Sequence, residues 1–226
     1  MSPTRAESFF SLDNYIHKDL FSNIEHVWEA LDHLPAYLQS SSLGLIEIDV
    51  PEMVTLVNKH QISIAKGCII EPGCYIQGPC ILSEGTAVRH GAYVRGNVIT
   101  GKNCVIGHAT EVKNSIFLDN AAAPHFNYVG DSILGNHTNL GAGVVCANLR
   151  LDKKNIHVII AGRAFDTARQ KMGLIAGDFS SMGCNSVSNP GTLFGRESMC
   201  FPCVNVSGYI PKGSLVKGQQ FSVEAR

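Results

Sequence analysis

Three side chains stand out by type and spacing as candidates for chemistry. Arg95 and Lys113 lie 18 residues apart, and His125 follows the lysine closely in the chain. Two cations held one above the other would bind a single anionic group from two sides, as recognition of a phosphate requires. An imidazole with a pKa of about 6.5 accepts a proton at working pH. The ordinary alternatives are a solvated pair of surface charges and a histidine that is structural or merely exposed.

A six-residue repeat between Ile64 and Leu118 must position these side chains. An apolar or β-branched residue recurs every six positions and is usually followed four residues later by a small one. Neither a helix nor an ordinary strand has a period of six, whereas hexapeptide repeats are typical of a parallel β-helix. Three hexapeptides make one triangular coil, so residues 18 apart, including the two cations, should stack on one face. The apolar positions are Ile64, Ile70, Ile76, Leu82, Val88, Val94, Thr100, Ile106, Val112 and Leu118.

The repeat divides the chain into a β-helix domain, residues 45–226, and a helical N-terminal segment, residues 1–44. The apolar spacing in the N-terminal segment predicts two short amphipathic helices, which would cover an open end of the prism or contact another subunit. We expect roughly six or seven coils. The register should break near Ala121–His125, placing His125 on a protruding turn. A second interruption at about 148–173 predicts an inserted basic loop.

Composition limits the function classes. The formal net charge is −1, so no basic field attracts nucleic acid or anionic lipid, and no apolar run is long enough to span a membrane. The N-terminus has no signal-peptide pattern, which predicts a cytoplasmic protein with reduced cysteines. Four of the eight cysteines fall in the small-residue position of the repeat, and the Cys200–Cys203 pair lacks a partner set. We therefore expect packing thiols and no metal site.

Four segments resemble the acetyltransferase domain of bifunctional UDP-N-acetylglucosamine pyrophosphorylase/glucosamine-1-phosphate N-acetyltransferases. The resemblance covers about residues 60–215, and its histidine-containing segment is specific, whereas a hexapeptide repeat alone is not. The archaeal sugar-1-phosphate nucleotidylyltransferase/acetyltransferase branch is the more similar one, because it also reads Ala-Asn-Leu-Arg. The segments are Glu111-Val112-Lys113-Asn114-Ser115, Pro124-His125-Phe126-Asn127-Tyr128-Val129-Gly130-Asp131, Asn139-Leu140-Gly141-Ala142-Gly143 and Ala147-Asn148-Leu149-Arg150.

The resemblance implies an all-β fold, a left-handed parallel β-helix, assembled as a homotrimer with active sites between subunits. It also implies acetyl-CoA as co-substrate and no tightly bound cofactor. By matching motifs, His125 is similar to the general base and Asn148 to the catalytic asparagine on the acetyl-CoA side. The remaining residues resemble ligands of the sugar phosphate (Arg95, Lys113), of the amino sugar (Tyr128, Asn139) and of acetyl-CoA (Leu149, Lys154, Cys184).

Two departures from the bacterial bifunctional enzymes concern the acetyl-CoA side. Leu149 replaces an aromatic residue, and Gly183-Cys184 stands in place of Gly-Ser. The pyrophosphorylase half does not occur in these 226 residues, so we expect the UDP-sugar to require a separate nucleotidyltransferase.

The resemblance predicts an N-acetyltransferase acting on an amino-sugar 1-phosphate, glucosamine 1-phosphate first, in the synthesis of UDP-N-acetylglucosamine and cell-envelope precursors. One alternative is an acyltransferase for another nucleotide-linked amino sugar. The other is a non-catalytic trimer that binds a sugar nucleotide or serves as a scaffold.

Overall fold

The computed structural model describes residues 3–218, and three parallel eight-stranded sheets form the sides of a triangular prism. The chain visits sheets 1, 2 and 3 in turn, laying one strand in each per coil. Sheet 1 consists of β1 (Thr55–Val57), β4 (Tyr75–Gln77), β7 (Tyr93–Val94), β10 (Glu111–Lys113), β13 (Tyr128–Gly130), β16 (Val145–Cys146), β21 (Val187–Ser188) and β24 (Asn205–Val206). Sheet 2 consists of β2 (Ile62–Ile64), β5 (Cys80–Leu82), β8 (Val98–Thr100), β11 (Ser115–Phe117), β14 (Ile133–Leu134), β19 (Leu174–Ala176), β22 (Thr192–Phe194) and β25 (Tyr209–Ile210).

Sheet 3 closes the prism, and two strands lie outside it. Sheet 3 consists of β3 (Ile69–Ile70), β6 (Ala87–Val88), β9 (Val105–His108), β12 (Ala122–His125), β15 (Asn139–Leu140), β20 (Ser181–Met182), β23 (Met199–Cys200) and β26 (Leu215–Val216). An antiparallel hairpin, β17 (His157–Ile160) and β18 (Arg163–Asp166), lies in the segment between β16 and β19. The helix α1 spans Ala30–Ser40, and short 3-10 helices span Ala6–Ser8, Lys18–Phe21, Val27–Glu29 and Lys59–Gln61.

The strand register confirms the parallel β-helix of hexapeptide repeats. Ile64 pairs with Leu82 and Cys80 with Val98, each 18 residues further along the chain. The apolar repeat residues from Ile64 to Val112 point inward and are buried in a continuous core, and small residues such as Cys104 fill the tight corners. Leu118 was wrongly predicted to point inward: it packs in a second core outside the prism, and Phe117 takes the inward position. The left-handed winding stays a prediction.

The expected six or seven coils are too few. Each sheet contains eight strands within residues 3–218, and a bridge between Ile46 and Ile64 adds a further layer. The first coil begins upstream of the clean repeat, at Thr55, because this lead-in segment already pairs with Tyr75. The inserted segment also does not replace a coil. It leaves the prism after Cys146 and returns so that Ile133 pairs directly with Ile175.

The predicted register break near Ala121–His125 is wrong. Strand β12 runs through Ala122–His125, so His125 ends a strand and does not lie on a protruding turn. The coil instead loses one residue at an earlier point in the chain. Tyr93 pairs with Glu111, 18 residues on, but Val98 pairs with Ser115, 17 residues on. Periodicity could not locate this step because residues 116–118 are all apolar, and any of them could have pointed inward.

The N-terminal segment covers a side of the prism rather than an open end. Of the two predicted helices, only one α-helix forms, and it continues past Pro35. The apolar side chains of the N-terminal segment pack with the outward-facing residues of sheet 2 in a second core, where Trp28 and Leu34 are fully buried. The outward-facing row of sheet 2 is an apolar stripe that water would otherwise contact: Ile81, Ile99, Ile116, Ile133, Ile175 and Leu193.

Candidate functional site

The outer surface of sheet 1 and its two corners carry most of the residues that sequence reasoning selected. The corner between sheets 1 and 2 presents such side chains on three of four consecutive coils. Arg95 follows β7, Lys113 ends β10, and Asn148 follows β16. Tyr128 begins β13 and pairs in register with Glu111, so its ring lies beside this corner. The coil period therefore gathers residues that are far apart in sequence onto one edge.

The two cations each pair with an acid, but in different surroundings. Arg95 Nη1 lies 2.6 Å from Glu111 Oε1, with side chains that are 41% and 33% exposed. Lys113 Nζ lies 2.8 Å from Asp131 Oδ2, with side chains that are 18% and 6% exposed. An exposed ion pair contributes little free energy and exchanges readily with water or ligand, whereas a buried one resists opening. The arginine is thus the cation that an incoming anion can recruit more easily.

The Asp131 carboxylate is the centre of a buried hydrogen-bond network. Besides Lys113, it accepts from Asn114 Nδ2 at 2.8 Å and from Asn148 Nδ2. Its backbone lies in the left-handed region, with φ of +49°, a conformation that aspartate and asparagine adopt more readily than most residues. The turn and the carboxylate together fix the relative positions of three polar side chains.

Tyr128 and Asn148 both lie close to Gly130. Burial raises the pKa of the Tyr128 hydroxyl, and the charge of Lys113 opposes that rise. A Cβ at Gly130 would lie only 2.6 Å from Tyr128 Oη and 2.8 Å from Asn148 Nδ2. Only glycine leaves room for both side chains. The Asn148 amide nitrogen donates to Asp131, so its carbonyl oxygen, on the other branch of the carboxamide, is directed away from that carboxylate.

His125 lies at the other edge of sheet 1, where sheet 3 turns into it. Its ring is exposed, and its backbone N–H donates to Asn127 Oδ1 at 3.1 Å. Its strand pairs with that of His108, whose ring stacks on His90 with centroids 5.8 Å apart. Three successive coils therefore present a histidine at this corner, and the face of sheet 1 separates His125 from Asp131 and Asn148.

The remaining predicted residues are not joined to this network within one chain. Asn139 begins β15 on sheet 3 beside Ala122, at the opposite end of the strand from His125. Cys184 lies at the same corner as His125, two coils further on. Leu149 is exposed and bridges to Lys171. Lys154 is exposed in the inserted segment. One chain thus joins Lys113 and Asn148 through Asp131, places Tyr128 beside them and leaves the other residues apart.

Sequence reasoning missed Glu111 and Asp131, the acids that neutralise the two cations. A signal for Asp131 was present, because it falls within the quoted histidine-containing segment. The period of 18 does not place it, since this coil has 17 residues and Lys113 pairs with Gly130, one residue before Asp131. The carboxylate reaches the lysine from the turn that follows β13.

Most of the cysteines are buried and pack in the core. All eight are free thiols, and only Cys184 and Cys203 are exposed. Burial raises the pKa of Cys104 and Cys146 to about 12, so these thiols stay protonated and unreactive. Within residues 3–218 no group of three or more His, Cys, Asp or Glu side chains could hold a metal ion. No helix in the same range is long and apolar enough to cross a membrane.

Comparison with known proteins finds relatives among sugar-phosphate enzymes. Residues 76–210 match the family described as GMPPB C-terminal domain. A bifunctional sugar-1-phosphate nucleotidylyltransferase/acetyltransferase of Sulfurisphaera tokodaii is 33% identical over 109 residues, which cover 48% of this chain and 27% of that protein. A bifunctional protein GlmU of Methanococcus maripaludis is 35% identical over 185 residues, covering 80% of this chain and 43% of that protein.

A third relative matches nearly end to end. The uncharacterized acetyltransferase YaiX of Escherichia coli is 26% identical over 205 residues, covering 87% of this chain and 89% of that protein. The chain therefore spans less than half the length of the two bifunctional relatives, although it spans most of the third.

Proposed function

Because the chain belongs to the GMPPB C-terminal domain family, we propose that it is a hexapeptide-repeat acyltransferase. In this proposal it moves the acetyl group of acetyl-CoA to the amino group of an amino-sugar 1-phosphate, glucosamine 1-phosphate first. The observation that carries the proposal is the joining of Lys113 and Asn148 through one buried carboxylate, with Tyr128 beside Asn148. This arrangement offers a cation for a phosphate and an amide oxygen for an amine at one corner of the prism.

The reaction needs a base, two binding subsites and a leaving group. The sugar amine attacks the thioester carbonyl carbon, a C–N bond forms, and the C–S bond breaks to release CoA. His125 takes the proton that the amine loses, and this proton balances the thiolate that leaves. Arg95 and Lys113 hold the phosphate, while Tyr128 and Asn139 hold the sugar ring. Asn148, Leu149, Lys154 and Cys184 form the acetyl-CoA side in this assignment.

The separation of His125 from Asn148 supports a site built from more than one subunit. The two residues occupy opposite corners of sheet 1, so one chain does not bring both to the same amine. A homotrimer would place the His125 corner of one subunit against the Asn148 corner of its neighbour. Holding both substrates in such a cleft supplies the proximity that the amine attack needs.

Release of free CoA tests the activity. Purified protein is incubated with acetyl-CoA and glucosamine 1-phosphate, and then with a panel of other amino-sugar phosphates and nucleotide-linked amino sugars. We expect thiol release with the first acceptor and a loss of about 100-fold or more in His125→Ala. The matched control is His90→Ala, since His90 lies at the same corner two coils earlier and has no assigned role. A folded trimer that releases no thiol with any acceptor would contradict the proposal.

A second candidate is a non-catalytic trimer that binds a sugar nucleotide or supports a separate nucleotidyltransferase. The observation that favours it is the charge balance of the predicted phosphate clamp, because each cation already pairs with an acid. In that case the chain binds a sugar nucleotide in calorimetry but releases no CoA. Binding that persists in His125→Ala, together with no turnover in the wild type, would identify this function.

A further inference from the structure

We propose that Asp131 is a positioning residue that turns Asn148 into a hydrogen-bond acceptor for the substrate amine and holds Lys113 in place for the phosphate. The inference rests on the proposed function of the same site and assigns a role to a residue that the function did not use. Asp131 itself touches neither substrate, because its side chain is only 6% exposed.

The first step of the argument is the direction of the Asn148 amide. Its nitrogen donates to Asp131 Oδ2. The nitrogen and the oxygen of a carboxamide lie on opposite branches, so this bond turns the carbonyl oxygen away from the Asp131 carboxylate. Tyr128 lies beside the same amide, since a Cβ on Gly130 would be 2.6 Å from Tyr128 Oη and 2.8 Å from Asn148 Nδ2. The carbonyl oxygen is thus the atom of Asn148 that is free to accept from a ligand.

The second step is the chemistry that a free carbonyl oxygen permits. It accepts a hydrogen bond from an attacking amine and directs the nitrogen lone pair away from itself. It does not donate to the oxyanion that forms on the thioester carbon, because that task requires an N–H or O–H group. Asn148 therefore orients the nucleophile in this proposal, and the oxyanion donor must be a different group.

The third step concerns Lys113. One of its three N–H donors is committed to Asp131 at 2.8 Å, so the ammonium is held while two donors remain for a phosphate. Arg95 has no equivalent restraint, since its partner Glu111 is itself one-third exposed. Asp131 thus makes Lys113 the fixed cation of the pair and leaves Arg95 as the adaptable one.

A carboxylate is the side chain that fits these demands. Three donors converge on Asp131, namely the Lys113 ammonium and the amide nitrogens of Asn114 and Asn148. An ionised carboxylate only accepts, so it satisfies all three. Asparagine would keep the shape and the left-handed turn but would point its own NH2 group at one of these donors. The buried donor that lost its acceptor would then turn away or remain unpaired.

The variant pair Asp131→Asn and Asp178→Asn tests the inference. Asp178 is also a buried carboxylate at a corner of the prism, and it accepts from Ser11, Asn136 and Arg196 away from sheet 1. In Asp131→Asn we expect kcat to fall about 100-fold and KM for glucosamine 1-phosphate to rise, while KM for acetyl-CoA stays within about twofold. In Asp178→Asn we expect all three constants within about twofold, even though the protein loses stability.

A double variant separates positioning from general damage. If Asp131 acts through Lys113, then Lys113→Met and Asp131→Asn combined should raise KM for the sugar phosphate no more than the larger single change does. Additive effects on that KM would contradict a shared role. Equal losses of kcat in Asp131→Asn and Asp178→Asn would reduce Asp131 to a structural residue.

A measurement on the wild-type protein keeps the inference testable if Asp131→Asn does not fold. The Asn148 side-chain N–H that is bonded to Asp131, identified by the loss of its resonance in Asn148→Gln, should exchange slowly with water. Fast exchange would overturn the inference regardless of activity. If the wild-type protein acetylates the acceptor and Asp131→Asn does so at the same rate, the inference is overturned and the proposed function stands. No turnover with any acceptor, with slow exchange retained, would instead reject the function alone.

Discussion

Lys113 Nζ and Asp131 Oδ2 lie 2.8 Å apart on adjacent coils, and the chain loses one residue of its 18-residue period in the turn that follows Lys113. The neighbouring Arg95–Glu111 pair also connects two adjacent coils along sheet 1, but it stays at the surface. Two ion pairs with similar spacing therefore differ mainly in burial. This difference separates a cation that is held in place from one that a ligand can recruit.

The two pairs should respond differently to loss of the cation. Lys113→Met leaves Asp131 buried without its counter-charge, and we expect a loss of about 2–4 kcal/mol in the free energy of unfolding. Arg95→Met removes one side of an exposed pair, and we expect a loss below about 1 kcal/mol. Urea unfolding followed by circular dichroism measures both. Equal losses would mean that the burial of Asp131 has no energetic consequence.

Gly130 provides a steric test of the Tyr128–Asn148 contact. In Gly130→Ala the new methyl group would displace Tyr128 Oη and Asn148 Nδ2, so we expect acetylation to fall about 100-fold, since a misplacement of about 1 Å has that effect on rate. Gly218→Ala is the matched control, because its Cβ would meet nothing nearer than Val204 at 3.7 Å. Steady-state kinetics compare the two. Full activity in Gly130→Ala would show that the contact does not matter for turnover.

The coil geometry was predictable because a period of six is the direct consequence of three flat faces per turn. The stacking of Arg95 over Lys113 follows from that period alone, without knowledge of side-chain contacts. The shortened coils were not predictable. Ile116, Phe117 and Leu118 all satisfy an apolar position, and only packing decides that Phe117 faces the core while Ile116 faces outward.

The sequence pattern also could not predict which segment covers the side of the prism. An outward isoleucine looks the same in sequence whether another subunit or the chain's own N-terminus buries it. In the structure Ile116 and Ile133 pack with Trp28, so sheet 2 is covered by the chain itself. At the candidate site, motifs located Lys113 and Asn148, but the acid that joins them required the register. The assigned roles of these residues stay predictions.

The buried His17 should make the fold sensitive to acid. Burial lowers the pKa of its imidazole to about 4, and the ring hydrogen-bonds Tyr37 Oη at 2.9 Å and Ser83 Oγ at 3.1 Å. The unfolded chain, with an ordinary histidine pKa of about 6.5, takes up a proton in the window from about 6.5 to about 4 while the native state does not. Stability therefore falls as the pH falls through this window, by up to about 3 kcal/mol.

Urea unfolding at several pH values measures this slope. His17→Gln should lose stability at neutral pH but show a flatter dependence between about pH 6.5 and 4. His60→Gln, which alters an exposed ring, is the control and should keep the wild-type slope. A slope that is unchanged in His17→Gln would assign the acid sensitivity to other groups.

Thiol labelling tests both the core and the acetyl-CoA side of the proposed site. Burial raises the pKa of Cys80, Cys104 and Cys146 to about 12, so an aromatic disulfide reagent at about pH 8 should modify only exposed Cys184 and Cys203 quickly. We expect two fast thiols per chain and one in Cys184→Ser. If Cys184 lines the acetyl-CoA subsite, saturating CoA should slow its labelling and leave that of Cys203 unchanged. More than two fast thiols would mean that the corners of the prism open in solution, and labelling of Cys184 at an unchanged rate with CoA would place CoA elsewhere.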